Sequence, residues 1–325
     1  MSATASSRVA IIGMGSVGSG WAALLLAKGF QVNAYDPGEG AQSTAHALIS
    51  GCWPSLAQLG LADGDQPPFE ALSFAPSVEE AVRGCSVVIE NVPEDLALKR
   101  DVFARADAAA PPDALLLSSA GGIAASDIQS VCRHPERMLV MHPFNPSHLI
   151  PLVEIVPGKQ TSEEAAARTL AFARSLGKTP VTVSREQSGH MVNRLQFALV
   201  REAIRCLKDG VATPQDIDAA VRFGLAPRWL LMGGLQTVAL AGGPGGMRGI
   251  LDHAGQAMQQ WWSPGDDIAL TEELKEDLGS AADDLAGDAD FEDWASWRDA
   301  QLIAVLGVQG QADNARPSAV LGEQS

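Results

Sequence analysis

The chain has 325 residues, which suggests about two domains at roughly 150 residues each. Hydrophobic residues make up 46% of it, enough for buried cores, yet no apolar run reaches the roughly 18–20 residues of a membrane-spanning helix. A net charge of -16 disfavours nucleic acids, whose binding depends on neutralised phosphates, and also disfavours anionic membrane surfaces.

Short apolar runs alternate with helical stretches in the first half of the chain. Near-continuous apolar strands separated by helices are typical of a parallel sheet that is covered on both faces. The pattern predicts strands at Val9–Ile12, Val32–Tyr35, Val87–Glu90, Leu115–Ser118, Met138–Met141, Leu152–Val156 and Pro180–Val183. It predicts helices at Trp21–Lys28 and Ser162–Leu176.

Strand patterns stop after about Ser188. Val192–Lys208 is a long amphipathic stretch, and Thr213-Pro214 opens another helix, because threonine caps helices and proline suits their first turn. The remainder is expected to be helical to about Leu306.

These patterns predict two domains. Residues 1–187 form an α/β domain, with a doubly wound, mostly parallel sheet of the Rossmann type. Residues 188–325 are predicted to form an all-helical domain for substrate binding and dimerisation. The polar, Gly- and Pro-interrupted segment 309–325 is expected to be a mobile tail.

A glycine-rich motif, Gly13-Met14-Gly15-Ser16-Val17-Gly18, directly follows the first predicted strand and opens an apolar helix. A GxGxxG that binds a dinucleotide requires this strand–turn–helix context. The glycines permit a tight turn, a close approach of the backbone to a pyrophosphate, and close helix–strand packing. The helix N-terminus offers unpaired N–H groups to the phosphates. All six residues are therefore predicted to bind the cofactor.

Asp36 ends the second predicted strand, about 20 residues after Gly15. A carboxylate at this position can bind the ribose hydroxyls of NAD and would repel the 2′-phosphate of NADP. The next four residues, 37–40, contain no Lys or Arg that would reverse this preference. The sequence therefore predicts NAD as the cofactor.

Four widely spaced cysteines form no CxxC motif, which argues against a disulfide framework and a structural zinc site. No HExxH or other tight cluster of metal ligands is present, so no metal is expected. The first residues lack the basic region and apolar segment of a secretory signal. We therefore expect a cytoplasmic protein.

A histidine and a glutamate lie at a promising place in the predicted sheet. His142 lies at the carboxyl end of the fifth predicted strand, where parallel sheets border the cofactor crevice. Glu154 is the one carboxylate in the apolar run Leu152–Val156, and a buried charge needs a partner. Pairing would hold the imidazole in one tautomer and raise its basicity, as a proton acceptor in alcohol oxidation requires.

The motifs HPFNP, LVEIV and GHMVNRL resemble, in this order, those of the L-3-hydroxyacyl-CoA dehydrogenase superfamily, and the resemblance extends over about residues 8–306. Within it, HPFNPSHLIPLVEIVPG, NRLQFALVREA and GLAPRWLLMGGLQT resemble the branch of λ-crystallin, L-gulonate 3-dehydrogenase and L-carnitine dehydrogenase. The resemblance implies that His142 is the general base, Glu154 its orienting partner and Asn193 a polar group near the substrate oxygen. It also implies a homodimer.

Three further residues are implied by the resemblance alone. Glu94 and Lys99, in PEDLALK, would contact the cofactor. Asn145 would lie on the nicotinamide side.

One position departs from the family pattern. Where the family usually places a serine near the substrate hydroxyl, this chain has Gly121, in SSAGGI. Three alternatives stay open: Ser119 replaces that hydroxyl, a water does, or the substrate differs. A lost transition-state hydrogen bond would cost about 1–3 kcal/mol if nothing replaces it.

Members of the resembled branch act on small free hydroxy acids rather than thioesters. Coenzyme A carries several phosphates, yet residues 37–82 contain no Lys or Arg. Arg228, in the apolar setting LAPRW, could hold a free carboxylate through two hydrogen bonds. The other interpretation of Arg228 is an ion pair with an acidic residue of its own domain or of a partner chain.

The sequence therefore predicts reversible NAD-dependent oxidation of the 3-hydroxyl of a small carboxylic acid resembling L-gulonate or L-carnitine. An enzyme acting on 3-hydroxyacyl-CoA, or on a carrier-bound acyl group, is one alternative. A non-catalytic NAD-binding protein, like a crystallin, is another, and Gly121 favours it. We expect neither nucleic acid nor membrane as a partner.

Overall fold

The computed structural model describes residues 8–261, Thr271, Glu273 and residues 291–314. Two compact units divide the chain, Met1–Gln196 and Phe197–Ser325. The strands are β1 (Arg8–Ile12), β2 (Gln31–Tyr35), β3 (Leu72–Phe74), β4 (Val87–Glu90), β5 (Leu115–Ser118), β6 (Met138–Pro143), β7 (Leu152–Pro157) and β8 (Thr179–Thr182). The helices of the first unit are α1 (Ser16–Ala27), α2 (Ala41–Gln58), α3 (Val78–Val82), α4 (Leu96–Ala109), α5 (Ala125–Gln129) and α6 (Glu163–Ser175). Helix α7 (Val192–Lys208) leads into α8 (Pro214–Ala219), α9 (Ala226–Ala241), α10 (Gly246–Trp261) and α11 (Phe291–Asn314).

The strands form one sheet in the order β3-β2-β1-β4-β5-β6-β7-β8. All neighbouring pairs are parallel except β6 and β7, which run antiparallel. The seven predicted strands and the mostly parallel sheet are confirmed. Strand β3 was missed: it has only three residues at the sheet edge, too few for a pattern.

Both faces of the sheet are buried, which explains the continuous apolar strands. Along β1, Val9 and Ile11 belong to a core on one face that includes Trp21 of α1. Ala10 and Ile12 belong to a second core on the other face, with Phe103 of α4. Alternate residues of one strand thus face different helix layers, as a doubly wound fold requires.

The side chain of Lys178 fixes the segment after β6 through hydrogen bonds. Its side chain is buried, and its Nζ donates to the carbonyls of Ser147 and Ile150, the latter at 2.7 Å. The same ammonium lies 5.2 Å from the ring centroid of Trp21. Burial lowers the pKa of Lys178 to about 7.

The second unit is helical over its described residues. Helix α8 begins as predicted, with Thr213 Oγ1 accepting a hydrogen bond from the Asp216 N–H at 3.2 Å. Residues 309–314, the first part of the segment predicted as a mobile tail, are helical and form the end of α11. The rest of that tail, 315–325, lies outside the described residues. None of the described helices is long and apolar enough to cross a membrane.

Candidate active site

The glycine loop joins β1 to α1 at the centre of the sheet. Gly13 has φ +89, and a Cβ there would lie 2.8 Å from the carbonyl oxygen of Asn91, so only glycine suits this turn. At Gly15, by contrast, a Cβ would meet no atom within 4 Å. The backbone at Gly15 therefore borders open space next to the N-terminus of α1, as close approach of a pyrophosphate requires.

Asp36 fixes this loop from the end of β2. Its Oδ2 accepts from the Met14 N–H and its Oδ1 from the Gly38 N–H, both at 2.8 Å. A cleft of about 640 Å³ is lined by Gly15, Ser16, Val17 and Asp36. The cleft, the glycine turn and the carboxylate together fit a dinucleotide.

Two motif residues contribute by packing. The Met14 side chain is buried and its N–H is bonded to Asp36, so Met14 shapes the loop rather than offering a donor. A Cβ at Gly18 would collide with the carbonyl oxygen of Gly13, which explains the requirement for glycine there.

Lys99 and Glu94 belong to a charged cluster beside the cleft. Lys99 Nζ donates to Glu90 Oε1 at 2.9 Å and to the Val92 carbonyl at 3.1 Å, and lies 3.5 Å from Glu94 Oε2. Its side chain is only 1% exposed. The structure therefore disagrees with a direct cofactor contact by Lys99, because its ammonium is already surrounded by three protein acceptors.

Glu94 remains available at the surface and holds the loop after β5. Its Oε1 accepts from the N–H groups of Gly122 and Ile123 at 2.9 and 3.2 Å, and nearly half of its side chain is exposed. Below it, burial raises the pKa of Glu90, whereas the charge of Lys99 and the hydroxyl of Ser118 act in the opposite direction.

The antiparallel pairing of β6 and β7 places His142 directly opposite Glu154. Their side chains meet, with His142 Nδ1 2.9 Å from Glu154 Oε2. Both are buried. Because an ionised carboxylate can only accept, the shared proton is on Nδ1 of His142, and in the neutral ring Nε2 is then the acceptor nitrogen.

The second oxygen of Glu154 is held by backbone. Its Oε1 accepts from the N–H groups of Met191 and Val192, each at 2.9 Å, at the start of α7. Burial by itself acts to raise the pKa of Glu154, but the hydrogen bonds from His142 and these two N–H groups outweigh it and lower that pKa. Glu154 is therefore an ionised, fully bonded carboxylate.

Asn193 and Gly121 complete this site. Asn193 Nδ2 donates to the Gly121 carbonyl at 2.9 Å. A Cβ on Gly121 would lie 3.2 Å from His142 Nε2 and 3.4 Å from Asn193 Nδ2. His142 Nε2 and the Asn193 amide thus both border the space in front of Gly121, where a hydroxyl oxygen could contact them together.

His190 lies against the pair. Its ring centroid is 5.5 Å from that of His142, and its Nε2 is 2.9 Å from the Ala120 carbonyl oxygen. It is buried and has φ +47, which is uncommon for a residue with a side chain. In the sequence, the sign of this conformation is Gly189, because glycine favours the left-handed backbone that both residues adopt just before α7.

Three predicted residues have other surroundings. Ser119 donates its hydroxyl to Asn91 Oδ1 at 2.8 Å, beside the glycine loop, so it does not stand in for the absent serine next to His142. Asn145 is exposed after β6. Arg228, in the second unit, is exposed and donates to the Gly224 carbonyl at 3.2 and 2.8 Å.

Comparison with known proteins identifies the family of this chain. The model of the 3-hydroxyacyl-CoA dehydrogenase NAD binding domain matches residues 8–187, and that of the C-terminal domain of the same enzymes matches residues 189–274. The chain belongs to the 3-hydroxyacyl-CoA dehydrogenase family. It is therefore an NAD-dependent oxidoreductase that acts on a CH–OH group.

Its relatives include two bacterial enzymes named L-carnitine dehydrogenase. The Streptomyces coelicolor enzyme is 40% identical over 94% of this chain and 95% of its own length. The Pseudomonas aeruginosa enzyme is 42% identical over 92% of each chain. The crystal structure of 5-formyl-3-hydroxy-2-methylpyridine 4-carboxylic acid 5-dehydrogenase, described as an NAD+ dependent dismutase, superposes with a TM-score of 0.76. It is 30% identical and covers 94% of this chain and 99% of that one.

Proposed function

We propose that the protein oxidises the 3-hydroxyl of a small free hydroxy acid, similar to L-carnitine or L-gulonate, with His142 as the proton acceptor. The observation that carries this proposal is the bond from His142 Nδ1 to Glu154 at 2.9 Å. In the neutral imidazole it makes Nε2 the acceptor nitrogen, on the same side of Gly121 as the Asn193 amide. A general base needs this tautomer, because it must accept the hydroxyl proton.

Each residue of the site has a separate role in this reaction. His142 Nε2 takes the proton from the substrate hydroxyl. Glu154 stabilises the imidazolium that results, since it is ionised and bonded at both oxygens. Asn193 Nδ2 keeps one N–H for the substrate oxygen while its other N–H is bonded to Gly121. This donor favours the carbonyl as it forms.

The centre of the proposed cofactor site is the glycine loop between β1 and α1, together with the end of β2. Gly13, Gly15 and the start of α1 would hold the pyrophosphate, and Asp36 would bind ribose hydroxyls. Ser16 and Val17 line the same cleft. We retain Glu94 as a cofactor contact because it is half exposed, and Asn145 on the nicotinamide side. When bound, NAD+ supplies the acceptor for the hydride that leaves the alcohol carbon.

A free acid is favoured over a thioester for two reasons. The relatives at about 40% identity are named L-carnitine dehydrogenases, and carnitine is a free 3-hydroxy acid. The absence of Lys and Arg from residues 37–82 leaves helix α2 without a group to bind the phosphates of coenzyme A. Arg228, exposed on α9, is our candidate for binding the substrate carboxylate.

The test is NADH formation over L-carnitine, L-gulonate, 3-hydroxybutyrate, other 3-hydroxy acids and 3-hydroxyacyl-CoA. We expect a free acid to be the best substrate and His142→Ala to lose almost all activity on it. Arg228→Met should raise KM for that acid strongly, and an unchanged KM would remove Arg228 from the pocket. Full activity of His142→Ala would refute the proton-acceptor role.

Two results of this screen would favour other functions. Turnover of acetoacetyl-CoA far above that of any free acid would indicate the acyl-CoA alternative. NADH binding with no turnover of any compound would favour the non-catalytic alternative. We also predict that the protein is cytoplasmic and forms a homodimer.

A further inference from the structure

An arginine lines the cofactor cleft that carries Asp36. Arg105 lies in α4, far from the β2–α2 turn in sequence, so the local pattern around Asp36 could not indicate it. Together with Asp36, it borders a cleft whose apolar lining includes Val78, Leu98 and Val102. Because Asp36 would bind the adenosine ribose, this is the adenosine end of the cleft.

The guanidinium of Arg105 is held by two carboxylates. Its Nε and Nη2 donate to Glu79 Oε1 and Oε2 at 2.7 and 3.0 Å, a two-bond arrangement that fixes the plane of the group. Its Nη1 lies 3.5 Å from Asp101 Oδ2. These bonds lower the pKa of Glu79 to about 2, so Glu79 is ionised at neutral pH.

An arginine near the ribose is the group with which related dinucleotide folds bind the 2′-phosphate of NADP. A guanidinium that already faces two carboxylates offers little net charge to a phosphate. We propose that Glu79 is a specificity-determining residue, which excludes NADP by engaging Arg105. Asp36 repels the phosphate directly, while Glu79 removes the cation that would otherwise attract it. The paired guanidinium then forms a flat wall beside the adenosine.

This inference rests on the cofactor site and is independent of the proposed substrate. The experiment is therefore a direct titration of NADH and NADPH, monitored by their fluorescence, at low and moderate ionic strength. Its outcome does not depend on turnover, so it can fail while the proposed function stands, and the reverse also holds.

The decisive variant is Glu79→Gln. We expect the Kd for NADPH to fall about tenfold, with a steeper salt dependence, because one ion pair to a phosphate is restored. The Kd for NADH should change less than about threefold. Asp101→Asn, which removes the longer contact, should give a smaller gain in the same direction.

Glu80→Gln is the matched control. Glu80 is the next residue of α3 and pairs with the exposed Arg83 at 3.3 Å, and neither residue lines the cleft. Its Kd values should equal those of the wild type. In Glu79→Gln/Arg105→Leu the gain for NADPH should disappear.

Two results would overturn the proposal. One is an unchanged Kd for NADPH in both Glu79→Gln and Asp101→Asn. The other is a gain that persists after Arg105 is also replaced, since the phosphate would then be bound by another group. Melting temperatures verify that each variant is folded. If Glu79→Gln does not fold, Asp101→Asn tests the same mechanism.

Discussion

Replacing Glu154 with Gln changes one oxygen of the site to an NH₂ group and tests the tautomer argument directly. In the native chain Oε1 accepts two backbone N–H groups and Oε2 accepts the His142 Nδ1 proton. The amide satisfies the backbone only if its oxygen faces Met191 and Val192. Its NH₂ then faces His142 Nδ1, which must become the acceptor.

That orientation moves the imidazole proton to Nε2, where it prevents His142 from accepting a proton. To return to the active tautomer, the Nδ1–H of His142 would have to face the NH₂ group of the amide. This contact between two donors costs about 1–3 kcal/mol. The imidazolium also loses a charged hydrogen bond, worth about 1.5–3 kcal/mol. At tenfold per roughly 1.4 kcal/mol, the two losses correspond to a fall of about 10²- to 10⁴-fold in kcat/KM.

The assay is steady-state NADH formation with the best acid from the substrate screen. The Kd for NADH and the melting temperature should stay near the wild-type values, because the resting amide satisfies every group around it. Glu80→Gln is the control for a neutralised surface carboxylate. A folded Glu154→Gln enzyme with kcat/KM within threefold of the wild type would refute the assigned tautomer and the role of Glu154.

Two other perturbations follow from the structure. Gly121→Ala puts a methyl group 3.2 Å from His142 Nε2, at the position where the family usually has a serine, and should lower kcat/KM by less than about tenfold without changing the Kd for NADH; a fall of more than about a hundredfold would mean that His142 cannot shift to accommodate the methyl group. Lys178 has a folded-state pKa of about 7, below the 10.5 of the unfolded chain, so the unfolded state binds more protons between these values. The free energy of unfolding of the wild type, compared with that of Lys178→Met, should therefore rise with pH from about 7 to 10.5, by at most about 1.4 kcal/mol per pH unit. A pH-independent difference in urea titrations would show that Lys178 keeps its ordinary pKa.

Local patterns were sufficient for much of the fold and for part of the site. The glycine loop and Asp36 were predictable because a strand, a turn and a helix follow one another within one segment. His142 and Glu154 were predictable as a pair because each is a polar residue in an apolar strand that must be satisfied. Strand β3 was missed because three edge residues carry no alternation.

Contacts that depend on how the helices pack on the sheet could not be predicted. Lys99 was expected to contact the cofactor. Its ammonium instead binds Glu90, at the end of the preceding strand, and both side chains are buried. The pairing of Arg105 with Glu79 joins two helices 26 residues apart, and no spacing rule indicates which arginine will reach the cleft. Where each helix lies on the sheet decides both contacts.

The attachment of Glu154 to the first turn of α7 has a mechanical consequence. Helix α7 continues without a break past Gln196, where the first unit of the chain ends. A small tilt of its first turn would stretch both N–H contacts of Glu154 at once and leave that acid supported by His142 alone. The orientation of the imidazole is therefore sensitive to the position of the first turn of α7, and substitutions at Met191 or Val192 can alter turnover without contacting either reactant.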